Sequence, residues 1–156
     1  MGEVLRRRLM QARFDSPHHE AVLSLLVAAA HVHERLDGVY ARHGITRGQY
    51  NVLRILRGAH PGGYPRCDVA RRLIERAPDV TRLIDRLEEG GLVERRGSAD
   101  DRRLSITRIT RKGLRLLEHM QSDVEAAEHM LAKRLSADEA EDLSRICERL
   151  YEAGGE

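Results

Sequence analysis

The residues best suited to chemistry in this chain are arginines, and they cluster in two places. In the stretch CDVARRLIERAPDVTRLIDRLEEGGLVERRGSADDRRLSITRITRK (residues 67–112), Val80, Leu83, Ile84 and Leu87 recur at the spacing that shares one helical face. Thr81, Arg82, Asp85 and Arg86 are therefore left on the sides and the opposite face. A second group, Asp100, Asp101, Arg102 and Arg103, follows Gly97-Ser98-Ala99 in a run of turn formers. Guanidinium groups on an exposed helical face and an exposed loop suit two targets, phosphates and the guanine edge in a major groove. Catalytic patterns are missing from the sequence. It has no Gly-rich phosphate loop, no nucleophile elbow and no paired acids in a Gly-bounded pocket. The chain is not read as an enzyme.

These arginines need a frame. A helix over 79–89 is predicted, with Pro78 suited to its first turn and Gly90-Gly91 ending it. Residues 92–96 read as a strand, 97–103 as a loop and 104–110 as a returning strand. Before them Asp68 is expected to cap a short helix packed through Val69, Ala70, Leu73 and Ile74. Arg71 and Arg72 then point outward, where they could meet the DNA backbone. Helix, turn, helix and basic hairpin make a winged helix-turn-helix. In that frame Arg82, opposite the aliphatic face, is the candidate base reader, flanked by Thr81 and Arg86, with Pro78 and Asp79 at the helix tip. Arg95, Arg96 and Arg108 are candidate phosphate contacts. Asp85 would repel phosphate, so a partner is expected for it in Arg82, Arg86 or an arginine of the wing.

VTRLIDRLEEGGLVERR, then DDRR, then ITRKG at the start of a long helix resembles the MarR family of bacterial transcription regulators, almost from end to end of the chain. The resemblance implies that the helix holding Val80-Thr81-Arg82 enters the major groove. It also implies that Arg102 or Arg103 reaches the adjacent minor groove, held in place by Asp100. Spacing does not choose between the two arginines.

The flanking segments supply a second lobe. Residues 1–15 read as a disordered basic arm. Ser16-Pro17 opens a helix running to about residue 42, whose apolar stripe includes Ala21, Leu25, Leu36 and Tyr40. A stripe that broad needs a cover, and a partner subunit is the simplest. Thr46 with Gln49, and Ser136 with Glu139, form capping boxes for two further helices. A long helix spans about 111–134. The expected fold is mainly α with a small β-hairpin wing. Residues 1–43 form an arm and dimerisation helix, 44–110 the winged helix-turn-helix, and 111–156 the C-terminal dimerisation helices.

Composition agrees with a helical protein: 41% hydrophobic and 33% charged, no Trp and one Phe. The net charge of +2 conceals a gradient. Residues 66–115 carry fourteen basic and nine acidic side chains, whereas 116–156 carry four and eleven. No apolar run reaches spanning length and no signal peptide is visible, so no membrane association and a cytoplasmic location are expected.

The eight His show no His-x3-His spacing and the two Cys no Cys-x2-Cys, so no metal and no cofactor are assigned. Cys147 reads as core. Cys67, beside Arg66, is the one candidate for a lowered thiol pKa. Where the helical bundle meets the winged module, Tyr40, His43, Tyr50 and Leu53 are placed near a pocket for a small apolar or phenolic effector. The expected partners are double-stranded DNA and a second copy. The expected function is a dimeric repressor on a pseudo-palindromic operator, released by a small molecule. An oxidant- or metal-responsive regulator of the same fold, or a DNA-binding module without an effector, are the alternatives.

Overall fold

The computed structural model describes residues 2–97 and 105–152. Its elements are α1 (Glu3–Leu9), α2 (Pro17–Arg42), α3 (Arg47–Gly58), β1 (Tyr64–Pro65), α4 (Arg66–Arg72), α5 (Val80–Glu89), β2 (Val93–Gly97), β3 (Ser105–Ile109), α6 (Arg111–Ala132) and α7 (Ala137–Glu152). The fold is mainly helical with one small antiparallel sheet, ordered β1-β3-β2. Asp100, Arg102 and Arg103, and the rest of residues 98–104, lie outside the described residues. Among the described residues no helix is long and apolar enough to cross a membrane.

Local chemistry fixes most helix starts. The Ser16 side chain accepts from the His19 amide at 3.1 Å, with Pro17 behind it. Thr46 and Gln49 exchange both bonds of a capping box, and Ser136 and Glu139 do the same. The Glu139 carboxyl is held below its usual range, chiefly by the Ser136 amide.

Three boundaries differ from expectation. Residues 3–9 are helical, because Leu5 finds a buried position that local sequence does not advertise. α4 begins at Arg66, so Asp68 lies in its first turn and Pro65 takes the capping position. α5 begins at Val80 with Asp79 as N-cap, which leaves Pro78 just outside the helix. Ile74, expected to pack, is 86% exposed, since α4 stops short of it.

One core joins the elements. Val52, Leu53 and Leu56 of α3 meet Val69 of α4, Ile84 and Leu87 of α5, Val93 and Ile109 of the sheet, and Leu117 and Met120 of α6. Burial of each large side chain contributes about 1.5–3 kcal/mol. The sheet is knit to α6 through the Thr-x-x-Gly turn. Thr110 Oγ1 donates to Gly91 O at 2.7 Å and accepts from the Gly113 amide. Gly91 has φ +67°, the left-handed conformation that ends α5. A Cβ on Gly113 would lie 2.3 Å from Leu92 O and 2.7 Å from Ile109 Cγ1, so only glycine lets α6 approach the strand.

α2 is tied to α6 by charge. His43 Nε2 and Asp123 Oδ2 are 2.9 Å apart, and Arg42 Nη2 stands 3.8 Å from the same oxygen. The His43 hydrogen bond holds the Asp123 carboxyl below its ordinary pKa, with Arg42 assisting.

The first substitution to make is Gly113→Ala. Alanine is the better helix former by about 1 kcal/mol, yet the variant should be less stable by about 1–3 kcal/mol because the strand must move. Denaturant melts report this, and unchanged or raised stability would contradict the close approach. A depressed carboxylate stabilises the fold fully above its unfolded pKa, and that contribution is lost as pH falls through the folded value. Asp123→Asn should therefore lower Tm near neutral pH, with the gap to the parent closing in acid. A gap that persists at acid pH would dissociate the effect from the carboxylate charge.

Candidate nucleic-acid interface

Helix α5 is seated by its apolar side. Val80, Ile84 and Leu87 are buried and Leu83 is half-buried, which leaves Thr81, Arg82 and Arg86 exposed. Its first turn is locked, with Asp79 Oδ1 accepting from the Arg82 amide at 2.9 Å. Pro78 and Asp79 are exposed at the tip. The loop leading into α5 is pinned to α3, where Asn51 Oδ1 accepts from the Ile74 amide at 2.9 Å.

Asp85 meets an arginine of the wing. It pairs with Arg95 Nη2, and Glu88 Oε2 lies 3.1 Å from Arg95 Nη1 while its other oxygen accepts from the Arg95 amide. One guanidinium thus clamps β2 to α5 between two carboxylates. Arg95, expected at a phosphate, is partly buried and held by these two carboxylates.

The remaining candidates divide by whether a carboxylate lies close. Arg96 Nε is 2.9 Å from Glu94 Oε1. Arg71 and Arg72 both approach Asp68, at 3.7 and 3.8 Å. Arg72 also lies over the Tyr64 ring, 4.2 Å from its centre. Arg108 Nε donates to Gly62 O at 2.9 Å and so braces the loop before β1. Among the described residues Arg82 and Arg86 have no carboxylate within 4.0 Å.

Between α2, α3, the loop before α5 and α6 lies a cavity of about 970 Å³. Tyr40 and Tyr50 line it, stacked with ring centres 4.5 Å apart. Burial pushes the Tyr40 phenol up to about 12, with Tyr50 adding to the shift, so it stays a neutral donor. The other two residues expected at this pocket are elsewhere. Leu53 is fully buried in the core, and His43 is turned to Asp123 at the far end of α2. Sequence reading missed Glu75, which lines the cavity. Its Oε1 is 3.4 Å from His33 Nε2 and 3.2 Å from Arg47 Nη1. That Arg47 nitrogen is buried and meets Glu75 as a charge, without hydrogen-bond alignment. Arg47 Nε lies 3.5 Å from Asp37.

Cys67 is exposed and Cys147 half-exposed on α7, which buries none of its residues within one chain. Among the described residues no group of three or more His, Cys, Asp or Glu is arranged to hold a metal ion.

Comparison with known proteins gives the same picture. The sequence pattern described as the MarR family matches residues 45–105. A homoprotocatechuate degradative operon repressor of Escherichia coli is 26% identical over 137 residues, which span 88% of this chain and 91% of that protein. A Staphylococcus aureus MepR–DNA complex shares the fold, with TM-score 0.74 and 24% identity, over 83% of this chain and 94% of that one. A MarR transcription factor from Planctomyces limnophilus is 36% identical with TM-score 0.68, over 87% of this chain and 98% of its own. Identity of that order across nearly the whole of both chains, carried on a winged helix-turn-helix, establishes that this chain belongs to the MarR family of DNA-binding transcription regulators.

Proposed function

We propose that the chain is a dimeric repressor that reads a pseudo-palindromic operator and leaves it when a small molecule fills the cavity beside α5. It has no enzymatic activity and works in the cytoplasm. Residues 1–43 and 111–156 serve dimerisation, and 44–110 read DNA. The observation that carries the reading is the seating of α5. Its aliphatic side is sunk in the core, and Arg82 stands exposed on the other with its own amide fixed by Asp79. An arginine so placed pairs bidentately with the guanine edge. Thr81 and Arg86 flank it, and Arg102 or Arg103 of the wing takes the minor groove.

Two copies follow from what one chain leaves uncovered. Val22, Leu25 and Leu26 of α2 are exposed, as are Leu143, Ile146 and Leu150 of α7. A second subunit covering these faces sets two α5 helices about one turn of DNA apart. The cavity supports an effector because it touches both lobes. Its walls include Leu36 and Tyr40 on α2 and Pro78 and Asp79 at the α5 tip. A ligand with different affinities for two spacings of the reading heads shifts the population between them.

Selection of bound fragments from random duplexes tests the reading as a whole, with a two-fold symmetric consensus expected and a featureless pool refuting it. On that consensus, Arg82→Ala should cut discrimination at one base pair by about 5- to 150-fold. An equal loss on every sequence would make Arg82 a backbone contact. Leu143→Glu combined with Ile146→Glu should shift the sedimenting species from dimer to monomer, and a dimer unaffected by both charges would move the interface elsewhere.

A further inference from the structure

We propose that Arg66, at the start of α4, is a phosphate contact of the reading head, working over the first turn of α5. The proposal rests on the DNA-binding reading above and adds a residue that sequence periodicity did not single out. Arg66 is exposed, and its Nη1 donates to Thr81 Oγ1 at 3.4 Å. That contact carries the guanidinium from one helix of the motif onto the other, beside the exposed Thr81 and Arg82. It is long and made to a neutral hydroxyl, so it leaves the charge of Arg66 uncompensated. Among the described residues no carboxylate lies within 4.0 Å of it, whereas Arg71, Arg72, Arg95 and Arg96 each have one.

The difference matters because counterion release follows net charge brought to the duplex. A cation already matched by a carboxylate adds little, and an unmatched one adds a full contact. Arg66 also differs from Arg82 in what it can reach. It projects from α4, the helix that crosses the backbone in this motif, and not from the helix in the groove. Its target is therefore the phosphate flanking the bases that Thr81 and Arg82 face. Releasing Thr81 Oγ1 as it swings to that phosphate frees the hydroxyl for the duplex.

The test uses the full chain with two labelled duplexes, one of mixed sequence and one carrying the selected consensus, titrated with salt. With one contact per subunit, Arg66→Ala should reduce the slope of log K against log salt by about 1.8 on both. The affinity lost between about 50 and 200 mM salt should shrink by about 12-fold. The consensus recovered by selection should not change, and Arg66→Lys should restore the slope. An unaltered slope on both duplexes overturns the proposal, as does a loss confined to the consensus with the slope intact, which would make Arg66 a base reader. A parent chain that binds neither duplex overturns the regulator reading itself and is told apart by being seen before any substitution.

Discussion

The reading head depends on one constraint: α5 must be held on three sides so that the fourth is free. Val80, Ile84 and Leu87 anchor it in the core, Asn51 pins the loop before it, and Arg95 clamps its far flank through Asp85 and Glu88. Each hold is of a different kind: apolar burial, a side chain to backbone hydrogen bond, and a charged pair. The Gly113 contact extends the same logic outward, because it fixes the wing strands against the helix that leads to the other lobe.

Charge in this module has two uses that composition alone merges. Arg95, Arg96, Arg71 and Arg72 are matched by neighbouring acids, and Arg108 is positioned by a backbone carbonyl. They shape the surface on which others act. Among the described residues Arg82, Arg86 and Arg66 have no carboxylate within 4.0 Å. A surface pair in water is worth little energetically, but it decides which guanidinium is available. An excess of basic residues is therefore a poor count of DNA contacts, and the arrangement of the acids is the better guide.

How much of this was legible in sequence follows the range of the interactions. Most signals that act over three or four residues read true: Ser16-Pro17, the boxes at Thr46 and Ser136, the Gly90-Gly91 stop and the aliphatic periodicity of α5, though not the Asp68 cap or Pro78 in the first turn of α5. The need of Asp85 for a partner was legible too, from electrostatics, although three partners were open. Features set by distant residues were hidden. Leu5 turns helical because it is buried elsewhere, and His43 leaves the cavity for Asp123, eighty positions away. Leu53 reads like any apolar residue near a junction until packing draws it into the core. Arg66 carried no pattern at all, since its significance arises from Thr81 on another helix.

The two lobes meet where the cavity lies, and the charges there argue that they are coupled. Glu75 belongs to the loop that runs into the α5 cap, and its contacts reach back to His33 on α2 and to Arg47 at the start of α3. Arg47 in turn holds Asp37 on α2. The loop is thus tethered to the long helix by a short relay of ions, and the cavity beside it mixes aromatic and aliphatic walls (Leu36, Tyr40, Tyr50, Leu83) with charged ones (Arg54, Arg76, Glu125, Glu128). The loop before α5 is therefore linked by charge to α2 and to the start of α3, whereas α3 itself is fixed in the core by Val52, Leu53 and Leu56.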